Sequence, residues 1–417
     1  MPADHRFGVG GVVARRGHLL SPRAVISGAG IAGPALADQL TARGWRTTVI
    51  ERYPQRRDEG QNVDIRGAAR EVVRRMGIED EVRRANTGEV GTRFVTAAGT
   101  AAASFPVGAP GSPDGPTAEL EILRGELSRI LIERTHGQTD YRFGTQITDV
   151  TDHGDHVTTV LDDGSVLDSD VLIVAEGLRS RSRRFVSSIE VTDLGMYFAY
   201  ATIPRSDSDD QWWNWQHATR SRGVHLRPDN LGTTRAILTF ISDVRGIEDL
   251  DPGDQITILR KTFADVGGAA PRILRELEAG APMYFSVAGQ VHVPSWSKGR
   301  IGLLGDCAFC NATFGGAGTS LALIGAYILA GELAATADHA AALDRYQHRM
   351  KPFAASAPVV RPGVLRIANP RSRIGIAAVH GVARAAASPP ATALASVASR
   401  SAGAGPRKPV LPDYPVA

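Results

Sequence analysis

Gly28, Gly30 and Gly33 stand in G-x-G-x-x-G spacing directly after a short apolar run, Ala24 to Ser27. The first glycine of such a set permits a tight turn. The second lets backbone approach a pyrophosphate, and the third lets the following helix pack on a sheet. The start of that helix offers free N–H groups and partial positive charge to phosphates. Glu51 ends the next apolar run, Thr47 to Ile50, 23 positions after Gly28. That is close to the ~20-residue spacing of a carboxylate that accepts a hydrogen bond from a ribose hydroxyl. A carboxylate there repels a 2′-phosphate, so the motif fits the adenosine of FAD or NAD rather than that of NADP. A lone G-x-G-x-x-G is weak. Here a strand precedes it, a helix follows it and the acid is correctly spaced.

Two further segments carry chemistry. Gly305-Asp306 follows the apolar run IGLL and precedes Gly315, Gly316, Gly318 and an apolar helix. A strand ending in a carboxylate opposite a helix N-terminus suits a ribityl chain and an isoalloxazine ring. Asp306 would accept hydrogen bonds from ribityl hydroxyls. The N–H groups at Gly318 and Thr319 would face the flavin pyrimidine and stabilise negative charge on the reduced ring. By itself the segment reads better as an ordinary βα turn. The other segment is Glu176-Gly177-x-x-Ser180-x-x-Arg183, after the buried-strand run DVLIVA. At least two of Arg179, Arg181, Arg183 and Arg184 read as solvated surface. On a strand, Trp213, Trp215 and His217 share one face. They line an apolar substrate pocket or, equally, cover the sheet's other side or a dimer contact. His292 alternates with Val291 and Val293 and reads as a satisfied strand histidine.

The elements that must position these groups are legible. The region from Arg23 to Arg52 reads strand, helix, strand. Asn62 to Ile65 is a short strand, and Leu120 to His136 reads as one helix containing Arg124. From about Met196 the runs MYFAYATI, QWWNWQHA, GVHLR and TRAILTF alternate with turns, as an antiparallel sheet does. Strand-then-helix character returns at Arg300 to Leu304, and Ala317 to Leu333 is apolar nearly all round, hence buried. A last helix is expected at about 371–386. Composition then excludes other classes. With 417 residues, 43% hydrophobic content and a net charge of +3, the chain is an ordinary globular protein of two or three domains. Nothing points to nucleic acid or a membrane. The two cysteines, Cys307 and Cys310, rule out a disulfide-stapled fold and a four-cysteine metal site, and no metal is needed. Residues 1–22 read as a disordered tail without signal-peptide character, so a cytoplasmic location is expected.

The order GxGxxG…ER, arginine in ILRGEL, NVDIRG, E-G-x-x-S-x-x-R and a late GD…GxG resembles the class A FAD-dependent monooxygenases. The resemblance covers about residues 23–360, and falls near the branch of tetracycline-degrading and natural-product monooxygenases. It implies the p-hydroxybenzoate-hydroxylase fold: an α/β, Rossmann-like FAD-binding domain (23–86, 119–190 and 291–360), an inserted antiparallel-sheet substrate domain (87–118 and 191–290), and a C-terminal helix and flexible tail (361–417). By the same resemblance Glu51 and Arg52 lie at the adenosine ribose, Asp64 and Arg124 contact the flavin, Asp306 holds the ribityl chain, and Glu176 serves both FAD and the incoming NAD(P)H. The implied reaction uses NAD(P)H and O₂ to place one oxygen on an apolar aromatic, polycyclic or polyketide-type small molecule through a flavin C4a-hydroperoxide, in a monomer or homodimer. Two residues depart from the family pattern: Thr313 stands where a proline flanks the flavin's reactive edge, and Phe309 where His or Tyr is common. They motivate a second reading, a flavin-containing cyclase whose FAD is structural. The Cys307-x-x-Cys310 pair could form a redox disulfide next to the flavin, but inert cysteines are the stronger expectation.

Overall fold

The structure is a computed structural model, and it describes residues 21–57, 60–108, 115–311, 316–357, 359–361, 363–388, 391 and 409–415. The N-terminal tail, Thr313 and most of the segment after residue 388 fall outside these residues.

A six-stranded sheet organises the first domain, in the order Ser297–Lys298, Ile301–Leu303, Val171–Val174, Arg23–Ser27, Arg46–Glu51 and Thr139–Phe143. All neighbours are parallel except the first pair. Val171–Val174 is buried on both faces, as a continuous apolar run in a parallel sheet must be. One face of the sheet carries helices Ala32–Thr41 and Ala317–Ala334 in one apolar core with Leu127, Leu131, Tyr346 and Met350. The other face carries a three-stranded antiparallel sheet, Ile147–Asp152, Val157–Leu161 and Val166–Ser169, packed through Val25, Ile50, Val157, Leu161 and Leu172. Ala317–Ala334 is the one helix among the described residues long and apolar enough to cross a membrane, and most of it is buried inside the protein.

The second domain is a seven-stranded sheet. Its order is Met283–His292, Thr192–Pro204, Thr233–Ile241, Arg222–Pro228, Trp213–Ala218, Gly91–Val95 and Ala101–Pro106. Its outer face is covered by helices Pro252–Phe263 and Ala270–Glu278, through Leu259, Phe263, Ile273 and Leu277. Asp251 starts the first of these as a capping residue, accepting from the Gly253 and Asp254 N–H groups, with proline at the first helical position. Helix Arg373–Ala386 lies across strands Ala101–Pro106 and Trp213–Ala218.

Two expectations are corrected. Leu120–His136 is not one helix: Glu121–Leu123 is a strand paired with Asn62–Asp64, and the helix runs Arg124–Arg134. A helix would carry the Glu121 carboxylate away from the partners described below. The end of the chain is also more ordered than its composition implies. Leu411 is buried, the Tyr327 hydroxyl donates to Pro412 O at 3.0 Å, and the Tyr414 hydroxyl donates to Glu332 Oε1 at 2.6 Å. Arg345 and Arg349 pair with the same buried Glu332, at 2.7 and 2.6 Å.

Candidate active site

The glycine turn sits where the ends of three parallel strands meet. The Gly28 N–H donates to Ile50 O at 2.7 Å. Gly28 has φ +114°, and a Cβ on it would stand 2.5 Å from Ala175 O. A Cβ on Gly33 would stand 1.9 Å from Gly28 O, so the helix starts in contact with the turn. Gly30 differs. A Cβ there would meet only the Arg124 guanidinium, at 3.2 Å, because it faces a cavity. Glu51 holds the turn from the next strand: Oε2 accepts from the Ala29 N–H at 2.9 Å and Oε1 from the Tyr53 N–H at 3.1 Å.

That cavity encloses about 840 Å³ and runs from the glycine turn to the inner face of the seven-stranded sheet. Gly28, Gly30, Glu51, Arg52, Asp64, Arg124, Glu176, Asp306, Gly318, Thr319, Trp213 and Trp215 all line it. Gly33 lies behind the turn, buried in the helix. The Asp306 carboxylate takes no hydrogen bond from the described residues. A Cβ on Gly318, in the first turn of the buried helix, would be 3.3 Å from Asp306 Oδ1. Burial pushes the Asp306 carboxyl up, and Arg124 partly offsets this. A carboxylate in such a place needs a donor. Vicinal hydroxyls of a ribityl chain supply donors, and the helix start beside it carries no side-chain cap. Asp64 is anchored by the Ala118 N–H at 3.2 Å and by Arg66 at 2.9 Å. Arg52 is exposed at the mouth, its guanidinium 3.3 Å from the Tyr53 hydroxyl.

Glu176 is engaged by the protein itself. Its Oε1 accepts from Ser27 Oγ at 2.5 Å, and its Oε2 from Ser180 Oγ at 2.8 Å and the Ser182 N–H at 3.0 Å. Burial favours the neutral form, but the hydrogen bonds from Ser182, Ser27 and Ser180 outweigh it and hold the carboxyl below its usual range. Glu176 therefore ties the loop after its strand to the glycine turn. Of the four arginines in that loop, Arg183 is buried, donating to Cys307 O at 2.8 Å, and Arg181 and Arg184 are at the surface.

The inner face of the seven-stranded sheet is the cavity's opposite wall. One cross-strand row reads Tyr284, Tyr200, Ile237, His225, Trp215, Phe94. All six line the cavity. At ~4.8 Å between strands the row is about 24 Å long. Trp213 stacks on Trp215 with centroids 5.8 Å apart, and Phe198 on Tyr200 at 5.6 Å. His225 is neutral, since burial drives its pKa well below the ordinary range. Its Nδ1 accepts from Trp213 Nε1 at 3.2 Å, so the ring proton is on Nε2. His217 shares the tryptophans' face but does not line the cavity. Its Nε2 donates to Ala368 O at 3.1 Å, and its Nδ1 is 3.1 Å from His380 Nε2, under the C-terminal helix. Burial lowers it to about 4. Phe309 packs on Trp296, centroids 4.5 Å apart, inside the core and away from the cavity. Cys307 and Cys310 are buried free thiols.

Sequence reasoning missed the charged cluster behind this wall. Arg227 lies 4.1 Å over the Trp213 ring. Its Nε donates to Glu89 Oε2 at 2.7 Å and a terminal nitrogen to Glu121 Oε2 at 2.5 Å. Glu89, Glu121 and Arg227 are all buried. Glu121 Oε1 also accepts from Asn62 Nδ2 at 2.8 Å and from Thr87 Oγ1. Burial pushes Glu121 up to about 7, with Arg227 opposing and Glu89 reinforcing. No local pattern announces this cluster, because Glu89 and Arg227 are 138 positions apart.

A nucleotide-type crevice at the strand ends, walled by an inserted antiparallel sheet, defines an FAD-dependent oxidoreductase fold with a separate substrate wall. A family model described as "FAD binding domain" matches residues 22–358, and the chain belongs to this family of FAD-binding monooxygenases. It is 35% identical over 401 residues to the flavin-dependent monooxygenase eupH of Phoma sp, covering 88% of this chain and 93% of the relative. Two solved tetracycline destructases superpose on it. Tet(51) has a TM-score of 0.76 and 28% identity, covering 95% of this chain and 100% of that one. Tet(55) has a TM-score of 0.75 and 30% identity, covering 94% and 99%. The chain is an FAD-dependent monooxygenase, and its cofactor is FAD.

Proposed function

We propose that the protein inserts one oxygen atom, by hydroxylation or epoxidation, into a flat apolar aromatic or polycyclic small molecule of polyketide type, using O₂ and transiently bound NAD(P)H. The observation that carries this reading is the cross-strand row of five rings and Ile237 facing the crevice where FAD fits. Rings set side by side in register offer a broad hydrophobic platform. The likeness to two tetracycline destructases and to a fungal flavin-dependent monooxygenase supports it.

The residues divide the work. Bound FAD supplies the redox and oxygen chemistry. The glycine turn and the uncapped start of helix Ala317–Ala334 receive phosphate and pyrimidine groups. Glu51 and Asp306 accept from sugar-type hydroxyls, and Arg124, beside Gly30 and acting on Asp306, supplies positive charge to the crevice. The aromatic wall orients the substrate and excludes water. Arg227 is held by the Glu89 and Glu121 carboxyl groups, so the wall presents no free cation there and suits an uncharged ligand face.

Turnover with polycyclic phenols decides the reading. Supplied with NADPH and O₂, the protein is expected to yield product one oxygen heavier, and no product when either is withheld. A product isomeric with its substrate, formed without NAD(P)H, would replace the hydroxylase by the flavin-containing cyclase whose FAD is structural.

A further inference from the structure

The C-terminal segment shows an unusual distribution of charge and apolar surface. Between Asp344 and Asp413 the sequence contains eleven Lys and Arg residues and no acid. The chain's small net charge conceals this segregation. Within the segment, helix Arg373–Ala386 turns Ala383 and His380 inward and exposes an outer crest of Ile374, Ala377, Ala378, Gly381, Val382 and Ala385. Ile374 is 83% exposed and Val382 72%. A helix on a soluble surface ordinarily puts polar residues outward. This crest has none, and its only charged neighbours on the helix are Arg373 and Arg384.

The preceding helix, Val364–Ala368, continues the pattern with Ile367 74% exposed. The Arg220 and Ser221 N–H groups donate to Arg371 O and Pro370 O, holding the link between the two helices against the substrate domain. Among the described residues Arg361, Arg371 and Arg373 have no carboxylate partner. Arg366 pairs with the exposed Asp243 at 3.0 Å, and Arg384 donates to Ala102 O at 3.2 Å. Aliphatic side chains flanked by unneutralised arginines are the composition of a helix that lies in a lipid interface.

We propose that the face formed by Val364–Ala368 and Arg373–Ala386 docks on an anionic lipid bilayer. A second copy of this chain is a poorer occupant, because it would bring Arg361, Arg371 and Arg373 against their own copies, and the one acid paired on this face, Asp243, is already engaged by Arg366. The position gives the docking a use. His380 stacks on Phe94, centroids 6.0 Å apart, and Phe94 lines the cavity. A lipid-seated helix therefore sets the aromatic wall next to the phase in which an apolar molecule accumulates. This inference stands whether or not the proposed substrate class is correct.

The test is flotation of the full-length, FAD-loaded protein with vesicles of phosphatidylcholine alone or mixed with phosphatidylglycerol, at low and high salt. Binding to the anionic vesicles only, weakened by salt, is expected. The pairs Ile374→Glu/Val382→Glu and Arg371→Glu/Arg373→Glu should each lower the partition about tenfold or more, with bound FAD per chain unchanged. If the glutamate pair loses FAD, Ile374→Ser/Val382→Ser makes the same comparison. Wild-type protein that stays at the bottom of the gradient with anionic vesicles at low salt overturns the proposal. So does equal flotation of the wild type and both pairs. A stable dimer that Ile374→Glu/Val382→Glu dissociates would also overturn it and assign the face to a second copy.

Discussion

Glu121→Gln isolates the proton held in the cavity wall. Glu121 is buried, and burial raises its carboxyl from 4.5 to about 7 against the pull of Arg227. The folded protein therefore keeps a proton that the unfolded chain has already released. A group with a raised folded value contributes stability that is fully present below the unfolded value and is lost as pH rises through the folded one. At ~1.36 kcal/mol per pH unit, that loss amounts to ~3 kcal/mol between about pH 4 and pH 8. Glutamine is neutral throughout and does not suffer it. Its amide needs an acceptor, and Asn62 Oδ1 is buried without a partner. Turning the Asn62 side chain over presents that oxygen and gives up the bond from Nδ2 to Pro228 O, a cost of ~1 kcal/mol. The variant is thus expected to be ~1 kcal/mol less stable than wild type near pH 4 and ~2 kcal/mol more stable near pH 8. With an unfolding entropy of ~2.1 cal/mol/K per residue over a chain of this length, 1 kcal/mol corresponds to roughly 1 °C. The difference in melting temperature, read by scanning fluorimetry across that range, should move from about −1 °C to about +2 °C. A difference that is flat or falls with rising pH would refute the assignment of the proton to Glu121.

Two glycines of one motif should fail in different ways. Gly30→Val, meeting only a movable guanidinium, should give a folded, colourless protein with native circular dichroism and no flavin absorbance. Gly33→Ala, colliding with backbone at 1.9 Å, should give insoluble chain. Equal behaviour of the two would show that Gly30 does not face the cofactor. Neither cysteine should react with a thiol reagent in the native state: burial holds the Cys307 thiol up to about 12, and its sulfur donates to Val174 O at 2.9 Å. Unfolding should release two thiols at once, whereas a disulfide between them would release none.

What the sequence revealed was what is local. Strand, turn, helix and acid lie within thirty residues around Gly28, and sterics over that span leave few alternatives. The antiparallel sheet was legible from alternation, and so was the common face of Trp213 and Trp215. Other features depend on distant partners. Glu121–Leu123 has apolar spacing that a helix could use, and pairing with Asn62–Asp64 makes it a strand. The face shared by His217 could be read, but not that His380 covers its end. Residues 409–415 close a segment whose Ala, Ser, Pro and Gly content reads as disorder. Two side chains, Leu411 and Tyr414, fasten them, and the Tyr414 ring occupies the space over Gly331 that a Cβ would need. Glu176 was read as a cofactor group from its place at a strand end, and its three protein donors could not be foreseen.

The row from Tyr284 to Phe94 has a consequence for how such an enzyme changes its substrate. Six of the seven strands contribute one residue each, so the floor is written across nearly two hundred positions of chain with no contiguous block encoding it. Recombination of segments between relatives moves one or two tiles of the floor and leaves the rest in place. A single substitution at one register position alters one tile and couples only to the tiles it touches, as Trp215 touches His225 and Phe94. A lineage can therefore reshape this platform gradually, tile by tile, while the distant glycine turn that holds the cofactor stays untouched.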